Sequence, residues 1–161
     1  PSANIRGYFE QGKVDTRILS DILPFRNKLY RVNYTEKDIV DAFKKAAKSF
    51  TNTANKPGIF YVSGIKYSVT DDGKIKSMTF VDKNGKRTPI DINNPRENKV
   101  YSTVLNDYIA QGNDGFPMLN QPEKIAQKYD FDASKCVEEI LKASKDPVEI
   151  KDDNRIEILK G

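Results

Sequence analysis

Ile59-Phe60-Tyr61-Val62-Ser63-Gly64-Ile65-Lys66-Tyr67-Ser68-Val69 is where the apolar period of the chain changes to two. Ile65, Tyr67 and Val69 alternate with Lys66 and Ser68, as they must on a strand with one buried face. Asp71-Asp72-Gly73 turns the chain, and Ile75, Met78, Phe80 and Val81 resume the pattern imperfectly. Asn84-Gly85 is a strong hairpin dipeptide, after which Ile90 and Ile92 follow. Beyond a polar loop at residues 93–98, residues 100–105 read as another strand. A β-rich middle therefore spans residues 59–105.

Working outward, the period changes to helical on the N-terminal side. Thr35 offers an N-cap, with Glu36 and Asp38 placing negative charge in the first turn. Ile39, Phe43, Ala46, Ala47 and Phe50 recur at helical spacing, while Lys44, Lys45 and Lys48 take the other side. A polar loop at residues 51–58 separates this helix from the β-rich middle. Before the helix, residues 28–33 alternate and predict a strand.

On the C-terminal side, residues 106–117 form a loop that contains Gly112-Asn113-Asp114-Gly115. A helix is predicted over 133–143, stopped by Pro147. Val148, Ile150, Ile156 and Ile158 suggest a closing hairpin around Asp152-Asp153-Asn154. The strands are too clustered for regular βαβ alternation. The expectation is one α/β domain of the α+β type, with a mixed, largely antiparallel sheet flanked by helices.

Composition excludes several functions. The chain of 161 residues has no histidine, whereas two-metal phosphoesterase sites and serine or cysteine hydrolase sites usually depend on one. Asp71-Asp72-Gly73 and Asp152-Asp153-Asn154 resemble fragments of calcium loops but lack the further ligands, and read as turns. The single Cys136 excludes an internal disulfide and a thiolate cluster; beside Val137 and Ile140 it reads as a packing residue. A net charge of +4, with Lys and Arg scattered among Asp and Glu, describes a mixed solvated surface. A small anionic ligand fits that charge; a nucleic-acid polymer would call for a basic stripe, and none is seen. No run approaches the roughly 20 apolar residues of a membrane span.

Four stretches, in order, are similar to the C-terminal domain of the 5′-nucleotidase family, which includes UDP-sugar hydrolases and 2′,3′-cyclic-nucleotide phosphodiesterases. They are Asn4-Ile5-Arg6, Ile22-Leu23-Pro24-Phe25, Phe60 through Tyr67, and Leu105-Asn106-Asp107-Tyr108 through Gly112-Asn113-Asp114-Gly115-Phe116-Pro117-Met118-Leu119. Taken alone, Phe25 reads as core, Arg6 as surface, Tyr108 as a loop anchor and Asp114 as turn chemistry. The resemblance implies substrate-binding roles instead. Phe25 and Tyr108 would stack on the two faces of a base, Asp114 would accept hydrogen bonds from the ribose hydroxyls, and Arg6 would lie near the phosphate.

The resemblance further implies a nucleotide or nucleoside ligand, and a separate N-terminal metallophosphoesterase domain carrying two divalent metal ions. The intact enzyme would hydrolyse nucleotide phosphate esters, and this chain alone would be inactive, with no catalytic or metal-ligating residues of its own. A cyclic phosphodiesterase, a nucleotide-sugar hydrolase and a non-catalytic surface binding module are the alternatives. The family is usually exported, so a periplasmic, cell-surface or secreted location is expected. The family's glycine run falls on Ser2-Ala3-Asn4, its base-touching asparagine on Pro1, and a glycine on Asn113. The whole chain, 1–161, reads as this domain truncated at its N-terminal edge, where unpaired backbone groups or uncovered apolar side chains would favour self-association, exchange of a segment between copies, or a separately supplied segment.

Overall fold

In the computed structural model, which describes residues 5–50, 58–149 and 152–161, the alternation seen at residues 28–33 becomes strand β1, Lys28–Thr35. Its inward side chains, Val32 and Tyr34, are fully buried. The strand runs straight into helix α2, Glu36–Ala47, because Thr35 caps it. The Thr35 hydroxyl accepts from the Asp38 N–H at 3.2 Å, and the Asp38 carboxylate accepts from the Thr35 N–H at 2.9 Å. This reciprocal pair satisfies two donors that a helix start otherwise leaves open. Ile39, Val40, Ala42, Phe43, Ala46 and Ala47 form the buried stripe of α2. The side chain of Phe50, the loop at 51–57, Ile150 and residues 1–4 lie outside what is described.

The β-rich middle holds β2, Ile65–Thr70, β3, Ile75–Val81, and β4, Arg87–Ile90. It continues to β5, Val100–Asn106, and the one-turn helix α3, Asp107–Ala110. Among the described residues these strands divide between two sheets rather than one. A three-stranded antiparallel sheet has the order β5-β1-β6, with β6 at Ile125–Asp132; a four-stranded sheet has the order β4-β3-β2-β7, with β7 at Ile156–Leu159. Val32, Tyr34 and Tyr101 from the first and Tyr67, Val69, Met78 and Ile90 from the second close over α2 in one core. Phe43 sits at its centre, edge-on to Tyr67 at 4.9 Å. Burying each such ring is worth roughly 1.5–3 kcal/mol. A mixed α/β fold of the α+β type is the result, as expected.

Three details differ from the sequence reading. Residues 59–62 pair with no strand; Gly64, at φ +82°, swings the chain into β2. Among the described residues no closing hairpin is seen. Val148 is exposed outside any strand, and β7 joins β2 in parallel, with Tyr67 opposite Ile156 and Thr70 opposite Leu159. An isolated two-stranded hairpin is marginal in water, whereas the open edge of β2 offers a ready ladder. Finally, α1, Thr16–Ile22, and β6 were not anticipated. Helix α1 is short, capped by Asp15, and packs against α4, Ala133–Ala143, outside the main core.

Candidate functional site

The register of β1 on β5 decides where the candidate residues meet. Leu29 lies opposite Asn106, so the chain entering β1 and the chain leaving β5 stand at the same end of the three-stranded sheet. Phe25 sits on the entering side and Tyr108 on the leaving side. Both rings are exposed, at 41% and 42%, which removes the local reading of Phe25 as core. The two rings make no direct contact with each other among the described residues.

Pro24 and its neighbours fix the approach to Phe25. Helix α1 ends at Ile22, since a residue before proline disfavours the helical region. The Arg6 N–H donates to the Ile22 carbonyl at 2.9 Å, tying the N-terminal segment to the end of α1. The Arg6 guanidinium then lies over the Phe25 ring, 5.4 Å from its centroid. Arg6 and Phe25 are therefore brought together directly.

Tyr108 and Asp114 share one tightly built loop. The Asn106 side chain caps α3 by accepting from the Ile109 N–H at 2.9 Å, and Asp107 accepts from the Tyr108 N–H at 2.9 Å. The Asn113 amide donates to the Tyr108 carbonyl at 2.8 Å, closing the loop back on the ring-bearing residue. Gly112, Asp114 and Gly115 all have positive φ, at 82°, 55° and 79°. A side chain at Gly112 would meet Asn120 Cβ at 3.0 Å and Pro117 Cα at 3.2 Å, so glycine is required there. Asp tolerates the left-handed region better than most residues, at the cost of some strain.

Phe116, fully buried, pins the far end of the loop in the core. Half-buried Asp114 has no hydrogen-bond or ion-pair partner for its carboxylate among the described residues. Its acceptors remain available to a ligand. Asn106 and Asn113, which build this loop, were not singled out as site-forming; the Asn-Asp capping pattern was the local signal for the first.

A cavity of about 470 Å³ opens beside the site, between β5 and the segment 60–65 that leads into β2. Phe43, Phe60, Phe80 and Leu105 make it apolar, and Ser63 and Asn106 are among its polar groups. None of Arg6, Phe25, Tyr108 or Asp114 lines it. Asn106 and Ile109 reach it from either side of Tyr108, so the two features are neighbours and not one pocket.

A model of the protein family described as 5′-nucleotidase, C-terminal domain, matches residues 2–121. The chain belongs to this family. All four candidate residues fall inside the matched span. Among curated proteins, this 5′-nucleotidase C-terminal domain is 25% identical over 122 residues to the trifunctional nucleotide phosphoesterase protein YfkN of Bacillus subtilis (strain 168). That match covers 73% of this chain and 8% of the relative.

Among solved structures, a 5′-nucleotidase precursor from Thermus thermophilus superposes with a TM-score of 0.82 at 26% identity, covering 98% of this chain and 30% of that one. The NAD nucleotidase of Haemophilus influenzae gives 0.67 at 21% identity, covering 92% and 27%, and shares the fold. The domain thus spans less than a third of these solved chains.

No helix among its described residues is long and apolar enough to cross a membrane. Nor do three His, Cys, Asp or Glu side chains gather there as a metal centre would need. The two divalent ions implied by the family have no fitting ligand set among these residues, and no hydrolytic step is assigned to them.

Proposed function

We propose that this domain recognises the nucleoside part of a nucleotide, for hydrolysis of the phosphate ester by a separate metal-bearing domain. Phe25 and Tyr108 would take the two faces of the base. A flat π-face is common to every base, so such a clamp tolerates different bases and adds roughly 1–3 kcal/mol per stacked ring. Asp114 would accept hydrogen bonds from the ribose diol, for which an ionised carboxylate has two oxygens. The observation that carries this reading is the 106–116 loop. Asn113 ties the Tyr108 backbone to the same turn that presents the unpartnered Asp114 carboxylate, at the sheet end where Phe25 also emerges.

A nucleoside is common to nucleotide monoesters, cyclic nucleotides and nucleotide sugars, so the four residues serve any of these substrates. The phosphate chemistry would belong to the separate metal-bearing domain, where divalent ions would supply Lewis-acid activation. A periplasmic, cell-surface or secreted setting accords with the Thermus thermophilus relative being described as a precursor.

The test is titration of the chain with adenosine, by calorimetry or by following its aromatic ring resonances. Saturable binding is expected, weakened roughly ten-fold or more by Phe25→Ala and by Tyr108→Ala. A detectable affinity that neither substitution changes would overturn the assignment.

A further inference from the structure

The geometry points to a strand-accepting groove: one extended peptide strand adds to the free edge of β5, between it and residues 60–65, and the polypeptide leading into Ile5 supplies that strand. The first observation is the edge itself. Among the described residues the two sheets end on β5, β6, β4 and β7. Exposed edges are normally blunted by charge or proline, because unpaired main-chain groups recruit other strands. Strand β6 carries Lys128, Asp130 and Asp132, β4 carries Arg87 and Pro89, and β7 carries Glu157. Strand β5, Val100–Asn106, has no charged residue, no proline and no glycine. Its Val100 and Val104 are exposed at 53% and 56%. Of the edge strands, β5 alone has the composition of a strand that lies inside a sheet.

The second observation is what lies along that edge. The cavity of about 470 Å³ has residues 101–106 on one wall and 60–65 on the other. Successive strand residues point to opposite faces, so a wall made of consecutive residues is the edge of β5 and not one of its faces. Across the cavity, the N–H groups of Phe60, Tyr61, Val62 and Ser63 donate to no group among the described residues. Both walls therefore offer main-chain groups in need of partners. A strand laid between them pairs on both sides and fills the apolar space. Because residues 60–65 wall the far side, the occupant is a single strand with two free edges, not the edge of another folded sheet.

Register and length name the source. Leu29 lies opposite Asn106, so Phe25, just before β1, stands at the Asn106 end of β5. Arg6 lies over Phe25, and its N–H is tied to the Ile22 carbonyl, so the described polypeptide starts at that same end. A strand running toward Ile5 along the groove therefore runs parallel to β5. Residues 1–4 span at most roughly 14 Å when fully extended. Pairing along residues 101–106 needs roughly 20 Å, so the strand lies mostly upstream of Pro1. This domain covers only 30% and 27% of the two solved relatives, whose chains carry much further polypeptide.

The test compares the 161-residue chain with the polypeptide extended upstream of Pro1 by its own reading frame. In the extended protein, nuclear Overhauser effects should connect backbone protons upstream of Pro1 with those of residues 101–106, in the pattern of parallel strands. The amides of residues 60–63 and the outward amides of β5 should exchange with solvent about 100-fold more slowly than in the shorter chain. Val32 and Tyr34, buried in β1, are the controls and should exchange alike in both. Upstream residues without contacts to β5 would overturn the proposal, as would β5 amides equally protected in both proteins. Protection of β5 that rises with concentration of the shorter chain would give the groove to a second copy and overturn the source named here. Should the shorter chain prove unstable, the Overhauser contacts in the extended protein decide alone.

Discussion

Glu36→Gln is the perturbation whose size follows most directly from the structure. Glu36 opens α2, yet its side chain is only 1% exposed. Its carboxylate accepts from the Arg96 N–H at 3.0 Å, from Arg96 Nη2 at 2.6 Å and from the Tyr101 hydroxyl at 2.9 Å. The Arg96 fork holds the acid well below its ordinary 4.5, at about 2. Such a drop on folding corresponds to roughly 3 kcal/mol of stability. Arg96 is 49% exposed, and water on that side reduces the value. Glutamine keeps the shape but turns an NH₂ donor toward the Arg96 and Tyr101 donors. The substitution should therefore cost on the order of 2 kcal/mol at pH 7, a Tm loss of roughly 4–8 °C.

The sign of the pH dependence is fixed by the lowered acid. Its contribution is fully present above the unfolded value of 4.5 and is lost as pH falls toward 2. Protonated glutamic acid resembles glutamine, so the difference between the two proteins should shrink to roughly half by pH 3. Urea denaturation followed by circular dichroism at pH 7 and pH 3 measures both quantities. An equal cost at the two pH values, or a cost under about 0.5 kcal/mol at pH 7, would refute the reasoning.

Three further outcomes are expected. Asp114→Asn should keep the fold, because asparagine also tolerates the left-handed conformation seen at φ 55°. It should abolish any preference for adenosine over 2′-deoxyadenosine, which paired titrations would reveal; a preference that survives places the ribose elsewhere. Tyr8 and Phe9, exposed at 78% and 38%, line a shallow N-terminal cleft with Val14, Ile18 and the polar Glu10, Gln11 and Lys13. The chain should self-associate as concentration rises, and Tyr8→Ser with Phe9→Ser should reduce this in light scattering after size exclusion; a monodisperse parent protein would contradict it. Finally, the purified chain should release no phosphate from AMP with added Mn²⁺, Zn²⁺ or Mg²⁺, and metal-dependent turnover that copurifies with it would be the contrary result.

Local signals made part of this fold legible. The Thr35 cap with Asp38, the helical spacing of Ile39, Phe43 and Ala46, and the Asp71-Asp72-Gly73 turn each act within a few residues, and each appears in place. Helix α4 lies over 133–143 as the sequence pattern indicates. Strand β6 stayed hidden because register shifts interrupt its pairing with β1, breaking the alternation that would mark it. The parallel docking of β7 on β2 joins residues far apart in sequence, and nothing near Ile156 encodes it.

At the site, local pattern pointed the wrong way for Phe25, which looked like core and is exposed. Family resemblance drew attention to Phe25, Tyr108 and Asp114. The Asn113 bond to Tyr108 and the position of Arg6 over Phe25 depend on tertiary placement, as does the Glu36–Arg96–Tyr101 network.

The most direct measurement is a set of intermolecular nuclear Overhauser effects from the H2 and H8 protons of bound adenosine. Contacts to the rings of both Phe25 and Tyr108, with ribose protons near Asp114, are the expected result. Contacts instead to Tyr61, Ser63 and Leu105, which line the neighbouring cavity, would place the nucleoside there and contradict the stacking clamp.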